Sequence, residues 1–212
     1  MGICESKSNG QGNLTNNSNK DANSPNIHEK KILNLENGRY EGEVKNGKPE
    51  GKGILYCNNG DRYEGDFKND QAEGKGIQYY LDGERYEGDY INGQREGKGT
   101  YYFKNGDRYE GDFKNDVPEG KGIQYFRDGG RYEGDHKFWE PEGKGILYYP
   151  DGGRYEGDFK LGKREGKGIE YYPDGVRYEG NYKQDRREGK GILYYTNGNM
   201  KILNYLNGVK IN

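Results

Sequence analysis

The sequence has few of the residues from which most folded domains build a core. Of its 212 residues, only 29% are hydrophobic. No run is long and apolar enough to cross a bilayer as a helix. A composition this polar is typical of disordered chains, so a fold for a chain of about one domain's length requires some other way of burying apolar surface.

Residues suited to catalysis or metal binding are also scarce. His28 and His136 are the only histidines, and no Cys–His cluster has the spacing of metal ligands. No Ser-His-Asp set stands out from regular positions, and the recurring Gly-Lys-Gly lacks the rest of a phosphate-binding loop. The sequence therefore predicts a protein that is not an enzyme and that holds no metal or cofactor.

Neither a disulfide framework nor an excess of one charge is visible in the sequence. Cys4 and Cys57 lie in very different contexts, which predicts an intracellular protein without structural disulfides. The chain has 34 basic and 36 acidic residues, a formal net charge of -2. This balance provides no global field for nucleic acid, so no nucleic-acid partner is expected.

A strict repeat of 23 residues fills most of the chain instead. It is marked by a Tyr-Glu-Gly triplet that begins at Tyr40, Tyr63, Tyr86, Tyr109, Tyr132, Tyr155 and Tyr178. A Gly-Lys-Gly triplet keeps the same step from Gly51 to Gly189, and a partial eighth copy begins near Lys201. A fixed short period indicates an array of one supersecondary unit, in which each unit packs mainly on its neighbours.

The end of each repeat predicts a hairpin and its register. Copies end in Asn-Gly or Asp-Gly, such as Asp82-Gly83, a pair that favours a two-residue turn. Such a turn places Tyr79 opposite Tyr86 and puts Ile77 on the same face as both. The prediction is a sheet with one apolar face of Tyr, Ile and Phe columns and one charged face of Arg, Glu and Asp.

These residues resemble the MORN repeat family. In the second copy the motif consists of Tyr63, Gly65, Gly74, Gly76 and Gly83, and in-phase copies cover about residues 38–212. The resemblance implies an all-β fold, a single-layer twisted antiparallel sheet that forms a solenoid of stacked hairpins. It also implies a groove that takes a peptide, a helix or a second subunit, and adaptor or scaffold roles near membranes and the cytoskeleton.

The N-terminal region differs from the repeats. Residues 1–31 are rich in Asn, Ser, Lys and Gly, which predicts a flexible tether before a repeat domain of residues 32–212. Residues 1–6 fit the N-myristoylation pattern with Gly2 as acceptor. Cys4 is either an ordinary thiol or a palmitoylation site, which would supply the second signal that stable anchoring requires. We therefore expect the protein to lie at the cytoplasmic face of a membrane, and it could also associate with the cytoskeleton.

An apolar sheet face that no second layer covers predicts an interaction site. The predicted function is a non-catalytic, membrane-tethered scaffold that binds a protein partner, or a second copy of the chain, on that face. The alternative is a module that binds phospholipid headgroups through the Arg and Lys columns. The candidate partner-binding residues are Tyr63, Phe67, Tyr79, Tyr86, Tyr90, Tyr102, Tyr109, Phe113, Tyr125, Tyr132, Phe138, Trp139, Tyr155 and Phe159.

Two places depart from the repeat pattern. The fifth copy has His136 in an aromatic column and Phe138-Trp139 in a loop where other copies have pairs such as Asn69-Asp70. Trp139 is predicted either to anchor a partner or to fold back on its own repeat. The C-terminal strand is unusually apolar and is predicted either to cap the sheet or to pair with another molecule.

Overall fold

The computed structural model describes residues 3–4 and 29–211. Within them the chain forms seventeen β-strands and no helix, which confirms the all-β prediction. The described part of the chain therefore offers no helix that could cross a membrane. The predicted acceptor Gly2 and most of the predicted tether, residues 1–31, lie outside the described residues, and β1 begins at Glu29.

The strands are β1 Glu29–Leu35, β2 Gly38–Lys45, β3 Lys48–Cys57, β4 Arg62–Lys68, β5 Gln71–Tyr79, β6 Arg85–Ile91, β7 Gln94–Tyr102, β8 Arg108–Lys114, β9 Val117–Tyr125, β10 Arg131–Lys137, β11 Glu140–Tyr148, β12 Arg154–Lys160, β13 Lys163–Tyr171, β14 Arg177–Lys183, β15 Arg186–Tyr194, β16 Met200–Leu206 and β17 Val209–Ile211. They fall into two units, Met1–Tyr101 and Tyr102–Asn212. In each unit consecutive strands pair antiparallel in one layer, as predicted.

Each repeat has a tight two-residue turn and a longer loop, and the structure has them at the opposite places from the prediction. The tight two-residue turns lie inside the repeats, as at Asn69-Asp70, where both residues have positive φ (49° and 72°). The Asp82-Gly83 pair belongs to a longer loop, residues 80–84, closed by a hydrogen bond of 3.0 Å from the Tyr80 N–H to the Glu84 carbonyl. Asn and Asp tolerate positive φ well enough to form the tight turn without glycine at either position.

The longer loop shifts the pairing by one residue. Tyr79 lies opposite Arg85 and Ile77 lies opposite Glu87, whereas Tyr86 lies opposite Gln78. A shift of one residue moves a strand's side chains to the other face of the sheet. The predicted faces were therefore wrong: the Ile column and the Tyr79 column share a face with Arg and Glu, and the Tyr-Glu-Gly tyrosines lie on the other face.

The tyrosines of the Tyr-Glu-Gly triplets form the buried side of the sheet, which we call the core face. Each is at most 2% exposed. Tyr132 shows the arrangement: its ring lies over Gly134 and Gly145, and its hydroxyl donates to the Asp135 carbonyl at 3.0 Å. A Cβ on Gly145 would lie 2.5 Å from the Tyr132 Cζ. The paired glycines thus provide the space in which each tyrosine ring is packed.

Within each of the two units, a second aromatic column links neighbouring repeats. The Phe159 ring packs edge-on against Tyr132 of the preceding repeat at 4.8 Å and against Tyr155 of its own repeat at 5.3 Å. Tyr182 repeats this arrangement between Tyr155 at 4.9 Å and Tyr178 at 6.0 Å. Such pairs stabilise beyond the area they bury, so the array is held together by contacts between neighbouring repeats.

His136 occupies one position of this column. Its ring is 3% exposed and packs edge-on against Tyr109 at 4.8 Å and Tyr132 at 5.0 Å. Its Nδ1 lies 3.3 Å from the Gly134 carbonyl oxygen. Burial lowers the pKa of His136 from 6.5 to about 4, because the charged imidazolium would lose its hydration there.

The Phe138-Trp139 turn places its two aromatic rings in different surroundings. Trp139 packs edge-on against Phe103 at 5.4 Å and Phe113 at 6.0 Å, so it folds back on the two preceding repeats and not on its own repeat. Phe138 remains 63% exposed at the tip of the hairpin. Both residues have positive φ, 49° and 72°, which is unusual for bulky side chains.

Cys4 and Cys57 are joined by a disulfide across a Cα–Cα distance of 5.6 Å. The prediction that the cysteines do not pair was wrong, because sequence context gives no sign that residue 4 returns to the end of β3. The expectation of an intracellular protein loses the support that it drew from unpaired cysteines. A bonded sulfur cannot also carry a thioester, so Cys4 is not a palmitoyl acceptor in this state.

Gly145→Ala tests the packing of tyrosine on glycine. We expect it to lower the free energy of unfolding by at least about 2 kcal/mol, because the new methyl group displaces the Tyr132 ring. Gly152→Ala is the matched control: Gly152 has φ of 92° but open space around it, so only backbone strain of about 1 kcal/mol applies. Urea unfolding compares the two, and equal losses would contradict the packing role.

His136→Phe tests the buried histidine. The folded-state pKa lies below the ordinary value of 6.5, so the stability is fully present above about pH 6.5 and is lost as the pH falls toward 4. The loss across this window should reach about 3 kcal/mol in the wild type. The variant should lack that part of the pH dependence in urea unfolding at several pH values. Identical profiles would show that His136 is not buried in the neutral form.

Candidate docking face

The sheet face opposite the core face carries side chains in rows that run across the strands. In the second unit one row consists of directly opposed tyrosines and arginines on successive strands, and we call it the Tyr–Arg row. Its members, in strand order from β9 to β15, are Tyr125, Arg131, Tyr148, Arg154, Tyr171, Arg177 and Tyr194. The tyrosines are half-buried, so their rings are held by the sheet yet accessible from solvent.

Each arginine of the Tyr–Arg row stacks on the tyrosine of the next strand. The Cζ of Arg131 lies 3.8 Å from the Tyr148 ring centroid, and the Cζ of Arg154 lies at the same distance from Tyr171. Arg177 stacks on Tyr194 at 4.4 Å. Contacts between a guanidinium and an aromatic face are attractive, so they fix the rings in a single orientation.

A glutamate two residues along the same strand fixes each arginine in turn. The Arg131 Nε donates to Glu133 at 2.6 Å, and this hydrogen bond is the main reason that the pKa of Arg131 lies above its ordinary value. Arg177 pairs with Glu179 in the same way at 3.0 Å. The tyrosine rings, the guanidinium groups and the carboxylates thus form one ordered surface that requires little rearrangement to receive a partner.

Two further rows follow the Tyr–Arg row on one side, in order along the strands. One alternates half-buried isoleucines with the glutamates just described, as in Ile146 between Glu133 and Glu156. The other pairs lysines with aspartates across neighbouring strands, as in Lys121 and Asp135 at 2.7 Å. We call the three rows together the docking face. Its apolar stripe and aromatic stripe run side by side across the strands.

Most cations of the docking face have carboxylate partners on the same face. The pattern changes toward the C-terminus, where Lys167 lies opposite Asn181 and Lys190 lies opposite Asn204. Exposed pairs of this kind contribute little to stability, but they balance the charge of the surface. The Arg and Lys columns on which the phospholipid alternative depends are therefore largely neutralised within the sheet.

The structure divides the predicted partner-binding residues between the two faces. Nine of them lie in the core face, each at most 5% exposed, and offer almost no surface to a partner: Tyr63, Phe67, Tyr86, Tyr90, Tyr109, Phe113, Tyr132, Tyr155 and Phe159. Tyr79 and Tyr125 instead lie opposite arginines on the other face, and Tyr102 occupies the equivalent position of its repeat. The prediction of one continuous aromatic surface was wrong, because the register that joined the two sets was shifted by one residue.

Several residues of the docking face were missed at the sequence level. Tyr148, Tyr171 and Tyr194 belong to a column visible in the repeats, but the prediction assigned that column to the apolar face and the arginines to the charged face. The signal that could have found them is the stretch of five residues between the tyrosine that ends one strand and the arginine that begins the next, as between Tyr79 and Arg85. That length fits a longer loop as well as a tight turn. Among residues 3–4 and 29–211, no cluster of His, Cys, Asp and Glu could hold a metal ion.

The solved structures that resemble this chain include two TCP domains. The SAS-4 (dCPAP) TCP domain of Drosophila melanogaster, solved in complex with a proline-rich motif of Ana2 (dSTIL), has a TM-score of 0.50 and 16% sequence identity, covering 87% of this chain and 96% of that one. The TCP10 domain of Danio rerio CPAP has a TM-score of 0.32 and 16% identity, covering 82% of this chain and 94% of that one. At these identities the likeness concerns the fold alone.

No curated protein matches the sequence. The family model described as MORN repeat matches it seven times, at residues 40–62, 63–85, 86–108, 109–131, 140–154, 155–177 and 178–200. These matches cover well over half of the chain, and six of the seven begin at a tyrosine of the core face, whereas the fifth begins at residue 140. The chain belongs to the MORN repeat family.

Proposed function

We propose that this protein is a non-catalytic scaffold that binds an extended protein segment on the docking face. The observation that carries the proposal is the Tyr–Arg row, in which accessible tyrosine rings are held in place by stacked and ion-paired arginines. Tyr and Arg are the residue types most enriched among the energetically dominant residues of protein interfaces. Ordering these side chains in advance lowers the entropic cost of binding.

The core face is a weaker candidate for the same role. Its tyrosines already contact glycine backbone on one side and a second aromatic ring on another, as Tyr155 does with Gly168 and Phe159. A partner would have to displace these rings, and the neighbouring repeats would lose their contacts. The fold likeness to the SAS-4 TCP domain, solved with a bound proline-rich motif, supports an extended segment as the kind of partner.

The membrane tether belongs to the proposal as a separate part. Residues 1–6 match the myristoylation pattern at Gly2, and the Cys4–Cys57 disulfide leaves no thiol at residue 4 for a second acyl chain. A single myristoyl chain binds membranes weakly and reversibly. The scaffold would therefore exchange between membrane and solution, and the partner segment would decide where it accumulates.

Selection from a random peptide library displayed on phage tests the binding function. The full chain should enrich peptides whose affinity falls at least about fivefold in a Tyr148→Ala, Tyr171→Ala double variant, because the loss of hot-spot side chains costs more than about 1 kcal/mol. Tyr195→Ala is the matched control, since Tyr195 is an exposed tyrosine of a loop outside the row. Arg154→Ala, which removes one stack and keeps every ring, should give an intermediate loss.

Two outcomes of the selection would refute the binding function. One is that no peptide is enriched above background by the full chain. The other is that the enriched peptides bind the double variant and the wild type equally well, with circular dichroism confirming that both remain β-structured. Loss of binding in Tyr195→Ala alone would assign the binding site to the loop between β15 and β16.

Flotation with lipid vesicles tests the tether. Protein expressed with an N-myristoyltransferase should float with phosphatidylcholine–phosphatidylserine vesicles, and Gly2→Ala should remain in solution, because the acyl chain supplies the apolar area that inserts. Undiminished flotation of Gly2→Ala would place membrane binding in the repeats. The phospholipid alternative predicts that result, with sensitivity to salt because exposed charges are screened.

A further inference from the structure

The tyrosines of the Tyr–Arg row recur on every second strand, which gives the row a defined spacing. Tyr125, Tyr148, Tyr171 and Tyr194 lie on β9, β11, β13 and β15, with one arginine strand between each pair. Neighbouring strands are about 4.8 Å apart, so successive tyrosines are about 9.6 Å apart. A partner that crosses the strands meets an identical ring once in each such interval.

This spacing selects one backbone conformation. A polyproline II helix has three residues per turn and rises about 3.1 Å per residue, so one side of it recurs every ~9.3 Å. Over the three intervals from Tyr125 to Tyr194 it would fall out of step with the rings by about 1 Å. An α-helix returns to the same side every turn, ~5.4 Å, and the multiple nearest to the tyrosine interval is two turns, ~10.8 Å. Over the same three intervals it would fall out of step by about 4 Å.

A β-strand fits the row even less well. Its side chains return to one face every ~6.7 Å, which does not divide the interval between the tyrosines. We therefore infer, building on the proposed binding function, that the partner is a proline-rich segment in the polyproline II conformation that lies across the strands along the Tyr–Arg row, one turn to each tyrosine.

The chemistry of the row suits this occupant. Proline rings pack on aromatic side chains, which is how other domains receive polyproline II segments in aromatic-lined grooves. The polyproline II backbone makes no internal hydrogen bonds, so its carbonyl groups are available to accept hydrogen bonds from the protein. The guanidinium groups of Arg131, Arg154 and Arg177 lie between successive tyrosines and keep about two fifths of their side-chain surface exposed. Each can donate to one carbonyl per turn.

The balanced charge of the docking face also favours an uncharged, proline-rich segment. Arg131, Arg154 and Arg177 pair with glutamates on their own strands, and Lys121 and Lys144 pair with aspartates. A strongly acidic or basic segment would meet groups of both signs in similar number and gain little. A segment of proline and small uncharged residues complements a surface whose charges are already balanced, and its binding should depend weakly on salt.

Fluorescence anisotropy with labelled oligoproline peptides tests the inference on the full chain. Peptides of two, three and four turns, about six, nine and twelve residues, should bind progressively tighter, with at least about a tenfold gain from the shortest to the longest. A Gly-Ser peptide of the longest length is the control ligand. Affinity should change less than about twofold between 0.05 and 0.5 M salt, because no net charge is neutralised.

Protein variants locate the binding. The Tyr148→Ala, Tyr171→Ala double variant should weaken the longest oligoproline at least about tenfold, and Arg154→Ala should weaken it by less. Tyr195→Ala should leave it unchanged. The inference is overturned if oligoproline binds no better than Gly-Ser, if affinity does not rise with the number of turns, or if the double variant, still β-structured by circular dichroism, binds as the wild type does.

The outcomes separate this inference from the proposed function. If library peptides bind through Tyr148 and Tyr171 while oligoproline does not, the docking face is confirmed and the polyproline II partner is refuted. If neither kind of ligand binds, both fail. Oligoproline binding that survives in the double variant but is lost in Phe138→Ala would refute the row as the site and assign it to the exposed hairpin tip.

Discussion

The packing of a tyrosine ring across two facing glycines is the interaction on which this structure depends. Tyr132 occupies the space above Gly134 and Gly145, and the same arrangement recurs with Tyr155 over Gly157 and Gly168. In a single-layer sheet there is no opposite layer to bury apolar surface against. The sheet buries its tyrosines against its own backbone instead, which explains how a chain with 29% hydrophobic residues folds. The second aromatic column then joins neighbouring repeats, as Phe159 joins the repeats of Tyr132 and Tyr155.

One consequence is that the two faces of the sheet have different roles. The core face is filled by rings that contact glycine and one another, so its aromatic content serves folding. The docking face needs no packing partner of its own, because its arginines, glutamates and tyrosines satisfy each other along and across the strands. The same strand pairing sets the spacing on both faces. It places Tyr132 and Tyr155 two strands apart on the core face, and Tyr148 and Tyr171 two strands apart on the docking face. In the proposed binding function, specificity would therefore come from the spacing and the chemistry of the Tyr–Arg row rather than from one unique pocket.

The repeat and its β-hairpins could be predicted from the sequence, because a period of 23 with a turn signal in every copy indicates an array of one β-unit. The antiparallel single layer followed from the resemblance to the MORN repeat family. The register could not be predicted, because two turns in each repeat compete for the tight conformation. Asp82-Gly83 has the favoured composition, yet Asn69-Asp70 adopts the tight turn. The site depended on that choice, so residues such as Tyr86 were predicted on the binding surface and are buried. The Cys4–Cys57 bond joins positions 53 residues apart and leaves no local signal in the sequence.

The assignment of the two faces is tested most directly by hydroxyl-radical footprinting of the full chain, with oxidation of each tyrosine read by mass spectrometry. Tyr148, Tyr171 and Tyr194 are half-buried, whereas Tyr132, Tyr155 and Tyr178 on the neighbouring strands are fully buried. The structure predicts that the first three are oxidised at least several times faster than the second three, since labelling follows the exposed area of a ring. Equal rates in the two sets, or faster oxidation of Tyr132 and Tyr155, would contradict the register and the docking face with it.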